Sequence, residues 1–105
     1  MTYIEIQGDW IIGTLPEELG DWTKLKAFLV NNNFINGTFP NTFSQNEFLG
    51  TIFLNNNMFD GTFPEVFSTL KNLEWLEADN NTFTGVIPEQ LTNLKSLSEF
   101  FYFSK

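Results

Sequence analysis

A period of 24 residues constrains this chain more than any other feature. Gly13-Thr14-Leu15-Pro16 recurs as Gly37-Thr38-Phe39-Pro40, Gly61-Thr62-Phe63-Pro64 and Gly85-Val86-Ile87-Pro88, always 24 residues on and without an insertion. Other columns keep the same step. Ile4, Phe28, Ile52, Leu76 and Phe100 form one, and Ile6, Val30, Leu54, Ala78 and Tyr102 another. Asp9, Asn33, Asn57 and Asn81 form a third, followed by Ile11, Ile35, Phe59 and Phe83. Leu19, Phe43, Phe67 and Leu91 complete the apolar set. Such a chain folds as a stack of like units, because no single unit buries its apolar face alone.

Each column has a physical reason. Ala27-Phe28-Leu29-Val30 alternates, as a strand with one buried face does. Successive strands set side by side, about 4.8 Å apart, make a parallel sheet. The Asn column stands where the chain leaves the strand. An amide both donates and accepts, so stacked Asn33, Asn57 and Asn81 are expected to satisfy buried backbone groups from coil to coil. Asp9 accepts only, which predicts a looser first turn. The column of Gly37 allows a bend that a side chain would obstruct. The residue before each proline is pushed to extended geometry. Pro64 to Leu70 carries apolar residues three apart, which predicts a short helical turn of the 3₁₀ kind.

Together the columns read L-x-x-L-x-L-x-x-N-x-L-x-G-x-I-P-x-x-L-x-x-L-x-x, with several of the 13 phenylalanines standing for Leu. The pattern resembles leucine-rich repeats, specifically the 24-residue class of plant extracellular receptors and inhibitors. It is also similar to repeats of some protozoan surface antigens, which favour Gly-Thr-Leu-Pro and a Trp near the place of Trp22. The resemblance covers essentially the whole chain. It implies an α/β solenoid, a right-handed superhelix with a parallel concave β-sheet of about five short strands. Short 3₁₀, helical or extended segments would form the convex side. It also implies a binding module from an extracellular or cell-surface parent protein.

Residues 1–105 read as a single array of about four such repeats, with no recognisable cap at either end. Ile4, Ile6 and Ile11 would face water at one end, and Leu97, Phe100 and Tyr102 at the other, where Lys105 takes the Asn column. Two readings stay open: a piece of a longer array, or ends that pair with other chains in self-association. Asn46 replaces the apolar residue of the Trp22, Leu70 and Leu94 column, which predicts a locally loosened coil.

The strand residues between the buried ones form outward rows. The first is Tyr3, Ala27, Thr51, Trp75 and Glu99; the second is Glu5, Leu29, Phe53, Glu77 and Phe101; the third is Gln7, Asn31, Asn55, Asp79 and Phe103. Leu29 and Phe53 would be neighbours with Trp75 diagonal to Phe53, an apolar and aromatic patch beside Glu77 and Asp79. Patches of that kind mark interaction sites, and aromatic anchors carry much of their energy. The candidate ligand-binding residues are therefore Tyr3, Leu29, Asn31, Thr51, Phe53, Asn55, Trp75, Glu77, Asp79 and Phe101. A flanking row, Trp10, Phe34, Met58 and Thr82, either covers the edge of the core or forms a second contact strip.

Asn36-Gly37-Thr38 and Asn80-Asn81-Thr82 are sequons, so Asn36 and Asn80 are candidate glycosylation sites in a secreted parent. A glycan on Asn80 would shade part of the concave face, and Asn36 is the preferred acceptor. Thr14, Thr38 and Thr62 stack once per coil. A threonine ladder is one way to organise water for ice binding, yet a β-branched residue in an extended segment explains it as well.

Charge and chemistry narrow the function further. Five basic against 13 acidic residues leave a net charge of −8, which argues against nucleic acid and anionic membranes. No run is long enough to cross a bilayer, and Met1 to Glu5 lacks the pattern of a secretory signal. The chain has no Cys and no His, so nucleophilic catalysis has no base and a thiolate metal site no ligands. Glu77 and Asp79 lie two apart on one face, and Glu17, Glu18 and Asp21 at a turn; both groups read as solvated acids. The glycines are 24 apart, so they do not make a phosphate loop. The expectation is a non-enzymatic module with no cofactor and no metal, whose partner is a protein or peptide. Rival readings are a self-associating surface spacer, an ice-binding protein and an inhibitor of a basic enzyme.

Overall fold

Eight short strands and four 3₁₀ turns follow the period through residues 2–102, the residues that the computed structural model describes. The strands are β1 (Tyr3–Glu5), β2 (Ile12–Gly13), β3 (Ala27–Leu29), β4 (Phe34–Gly37), β5 (Thr51–Phe53), β6 (Met58–Phe59), β7 (Trp75–Glu77) and β8 (Glu99–Phe101). β1, β3, β5, β7 and β8 form one parallel sheet in that order. Its register aligns Ile4, Phe28, Ile52, Leu76 and Phe100 across five coils, the column read from the period. Lateral pairing of each coil with the next leaves only the two end strands with an open edge.

The extended segments after the Asn column add a second sheet, β2-β4-β6. Ile12 pairs with Phe34 and Asn36 with Met58, a step of 22 instead of 24. The chain slants there, so its neighbour in space is no longer its equivalent in the repeat. On the convex side the 3₁₀ turns span Glu17–Asp21, Asn41–Gln45, Glu65–Thr69 and Glu89–Asn93, each preceded by an extended proline. The proline ring presets φ for the turn it precedes and has no N–H to leave unpaired.

The core lies between the sheets and these turns. Phe28, Phe43, Phe59, Phe63 and Phe67 are fully buried with Leu25, Leu49, Ile52, Leu54, Leu70, Leu73 and Leu76. Phenylalanine packs by edges and tilts: Phe28 and Phe43 lie 5.1 Å apart at 67°, and Phe39 and Phe67 4.8 Å apart at 60°. The rings thereby fill a cross-section that leucine side chains would otherwise occupy.

The asparagines hold the coils together. Asn57 Oδ1 accepts from the backbone N–H of Ile35 at 3.0 Å, while its Nδ2 donates to the carbonyls of Val30 at 3.0 Å and Leu54 at 3.2 Å. Asn33 and Asn81 repeat the arrangement. Asp9 stands exposed, with its N–H held from the next coil by Asn33 Oδ1 at 3.0 Å. The first turn differs from the others in backbone conformation: Trp10 takes a φ of 62°, a left-handed value that Phe34 and Met58 in its column do not share.

A second amide ladder runs beside the first. Gly8, Asn32, Asn56 and Asn80 all have φ between 58° and 68°. Asn tolerates this left-handed region better than most residues. Asn56 Nδ2 donates to Asn32 Oδ1 at 2.7 Å, and Asn80 Nδ2 to Asn56 Oδ1 at 2.6 Å. This ladder has no apolar column to announce it.

Two expectations need correction. Asn46 does not loosen its coil: it is fully buried, and its Nδ2 donates to the carbonyls of Trp22 at 2.6 Å and Leu19 at 3.3 Å. The amide ties two coils where leucine would only pack, although its Oδ1 is buried without a partner among the described residues. The residues expected to face water at the two ends are also less exposed than the columns suggest. Ile6 and Ile11 are exposed, but Ile4, Leu97, Phe100 and Tyr102 are half-buried against the core. Tyr102 packs edge-on to Phe63 with centroids 5.2 Å apart. Phe103 and Lys105, assigned above to an outward row and the Asn column, lie outside the described residues. An apolar recess of about 400 Å³ remains at the first coil, lined by Ile4, Ile6, Ile11, Leu15, Leu19, Trp22 and their neighbours.

Candidate functional site

The main sheet presents its outward rows as the alternation requires. In β3 and β5 the middle residue is buried while both flanking residues keep part of their surface in water. The first row sets Tyr3 beside Ala27, Thr51 beside Trp75, and Trp75 beside Glu99. The second sets Leu29 beside Phe53, Phe53 beside Glu77, and Glu77 beside Phe101.

Phe53 and Trp75 meet edge to face, with centroids 5.4 Å apart at 67°. The indole Nε1 of Trp75 donates to Glu77 Oε2 at 2.8 Å. Trp75 thus bridges diagonally between its own strand and the row of Phe53 and Glu77. Trp75 and Phe101 are each 40% exposed. Leu29 and Phe53 are half-buried, so the apolar patch is smaller than the rows alone imply. The neighbouring outward side chains shield one another.

The described part of the third row is polar. Gln7 Nε2 donates to Asn31 Oδ1 at 2.9 Å. Asn55 has its Oδ1 buried without a partner among the described residues. Asp79, half-buried, is the last described residue of the row. The described part of the three rows carries four carboxylates, Glu5, Glu77, Asp79 and Glu99, and no Lys or Arg.

The structure therefore brings Phe53, Trp75, Glu77 and Phe101 together, with Leu29 beside them. Asn31, Asn55 and Asp79 line the adjacent row, and Thr51 lies next to Trp75. Tyr3 sits apart, on the edge strand β1, with β3 between it and Thr51. Among the described residues no group of Asp and Glu is arranged to hold a metal ion. No helix of the described residues is long and apolar enough to cross a membrane.

The flanking row remains in water. Trp10 is 77% exposed and leans on Phe34 with centroids 5.6 Å apart, and Met58 continues the line. The threonine methyls pack close to the glycines of the next coil: a Cβ on Gly37 would come within 2.7 Å of the Thr14 methyl, and one on Gly61 within 3.1 Å of the Thr38 methyl. Asn36 and Asn80 are both exposed, but Asn80 already spends its Nδ2 on Asn56. The Asn32, Asn56 and Asn80 ladder borders the sheet and was not among the candidates; three asparagines at a step of 24 were its only trace in the sequence.

Comparison with known proteins agrees with this geometry. The family model for the leucine rich repeat matches residues 23–83. No curated protein sequence matches. Among solved structures, the leucine-rich repeat ectodomain of the receptor kinase SOBIR1 from Arabidopsis thaliana is similar at 25% identity, with a TM-score of 0.84 over 96% of this chain. The Arabidopsis receptor kinase HAESA, solved with the peptide hormone IDA and the co-receptor SERK1, is similar at 27% identity, with a TM-score of 0.89 over 95% of this chain. The BIR2 ectodomain from Arabidopsis thaliana is similar at 25% identity, with a TM-score of 0.87 over 91%. The chain spans 56%, 17% and 50% of the length of those three. Period, coil geometry and family match coincide, and the chain belongs to the leucine-rich repeat family in its plant-type, 24-residue form.

Proposed function

We propose that the chain is a protein- or peptide-recognition module that holds its partner on the concave sheet and serves an extracellular or cell-surface parent protein. The observation that carries this reading is the half-exposed aromatic pair of Phe53 and Trp75, set in adjacent rows that each hold carboxylates and bordered by amides. Aromatic anchors supply area at low entropic cost, and the polar rim orients the partner. The likeness to HAESA, which was solved with a peptide hormone and a co-receptor, supports the same class of partner. The reading is non-enzymatic: without His or Cys, the outward rows hold only carboxylates, amides and Thr51 as polar side chains near the aromatic pair. Among the sequons, Asn36 is the acceptor that leaves the concave face clear.

Selection from a displayed library of random peptides tests it, with the Phe53→Ala/Trp75→Ala double variant as the counter-target. Peptides should be retained by the native chain and lost on the double variant. Equal retention by both would mean that the site lies elsewhere.

A second reading has its own observation. The apolar recess of about 400 Å³ at the first coil, and the half-buried Phe100 and Tyr102 at the last described one, are surfaces through which copies could stack end to end. Light scattering across a concentration series separates the two. A constant monomer mass removes the stacking reading.

A further inference from the structure

Glu77 is the one carboxylate of the concave rows that the register places between two aromatic residues, Phe53 on β5 and Phe101 on β8. A third ring is tied to it directly: Trp75 Nε1 donates to Glu77 Oε2 at 2.8 Å and also meets Phe53 edge to face at 5.4 Å. Among the described residues no donor reaches Glu77 Oε1. A carboxylate partly screened from water by rings, with one oxygen unbonded, gains most from a charged donor. Ring faces attract the same cations. The surrounding charge has the matching sign, because the rows carry Glu5, Asp79 and Glu99 and no Lys or Arg, on a chain of net charge −8. That field favours encounter with a cationic partner.

From this we infer that Glu77, framed by Phe53, Trp75 and Phe101, is the seat of a single basic side chain, arginine above all, presented by an extended peptide. The inference rests on the concave face being the recognition surface. Arginine fits better than lysine because a planar guanidinium stacks on a ring and bonds a carboxylate at the same time. The site is open, with Trp75 and Phe101 each 40% exposed. It therefore suits a side chain delivered by a peptide whose remaining contacts come from the neighbouring rows.

The test is a nuclear magnetic resonance titration of the isotope-labelled chain with Ac-Gly-Ser-Arg-Ser-Gly-NH₂ and with the same peptide carrying citrulline, which keeps the shape of arginine and removes its charge. The arginine peptide should move the Trp75 indole signal and the amide signals of Glu77 and Phe101 saturably. It should bind roughly tenfold more tightly than the citrulline peptide. Glu77→Gln keeps an acceptor for Trp75 and should bring arginine down to the citrulline level. Equal binding of the two peptides on these signals overturns the cation site while leaving the concave face as a recognition surface. No movement of these signals with either peptide overturns the inference too. Library-selected peptides that need Phe53 and Trp75 yet lack basic residues would sink it with the recognition reading intact.

Discussion

The side-chain nitrogen of Asn57 donates to the carbonyl oxygen of Val30, 3.0 Å away in the preceding coil. The same nitrogen serves Leu54 of its own coil, so one amide closes the strand exits of two coils at once. A carboxylate of equal size cannot do this. Asn57→Asp would aim a charge at two carbonyls in a buried position, at a cost of about 3 kcal/mol at neutral pH. Burial and the carbonyl dipoles disfavour the charged form, so the folded pKa of the new Asp rises above its unfolded value of roughly 4. Its neutral form is then favoured below that value, and stability is lost as pH climbs through the raised folded one. Relative to the native chain, the variant should be less impaired at pH 4 than at pH 7. Urea unfolding at the two pH values checks this, and an equal deficit at both would refute it.

The glycine column predicts a gradient. A Cβ on Gly37 would lie 2.7 Å from the Thr14 methyl, one on Gly61 3.1 Å from Thr38, and one on Gly85 3.8 Å from Thr62, while Gly13 has open space. All four have positive φ, between 79° and 96°. Alanine at Gly13 should cost the backbone strain alone, about 1 kcal/mol. Alanine at Gly37 should cost more, about 2–3 kcal/mol, with Gly61 between Gly37 and Gly85. Adding Thr14→Ser removes the methyl and should return Gly37→Ala to the Gly13→Ala level. Denaturant midpoints of the four single variants and the double variant test the order.

Trp75 and Glu77 make a smaller contribution to stability than to shape. Glu77→Ala frees the indole N–H, and the loss should be about 0.5 kcal/mol because the bond is reachable by water. The visible effect is local: the Trp75 indole signal should shift to the position of a water-exposed tryptophan, with Trp10 and Trp22 unmoved. An unmoved Trp75 signal would show that the ring is held by Phe53 alone.

The sequons differ in what a glycan displaces. On Asn36, an exposed residue, it should leave stability unchanged. On Asn80 the sugar replaces one of the two Nδ2 hydrogens beside the 2.6 Å bond to Asn56, and crowding or weakening of that bond should cost about 1 kcal/mol. Material from a glycosylating secretory host, separated by mass and melted in parallel, tests this. Equal melting temperatures for the two single-site glycoforms would contradict it.

Whatever repeats with the period was determined by the sequence alone. The buried columns, the five-stranded sheet, the asparagine bonds and the 3₁₀ turns are properties of one coil, and translation by 24 residues multiplies them. Only the tertiary structure decided what the period leaves free. The second sheet pairs at a step of 22 because the chain slants there. Asn46 looked like a defect in an apolar column until its amide found the carbonyls of the coil before it. The candidate site lies between these cases. Its rows were legible from alternation, but the half-burial of Leu29 and Phe53 and the grouping of Trp75 with Glu77 and Phe53 were not. Inward side chains are held by close packing that every coil repeats, whereas outward ones settle against whichever unlike neighbours the adjoining coils supply.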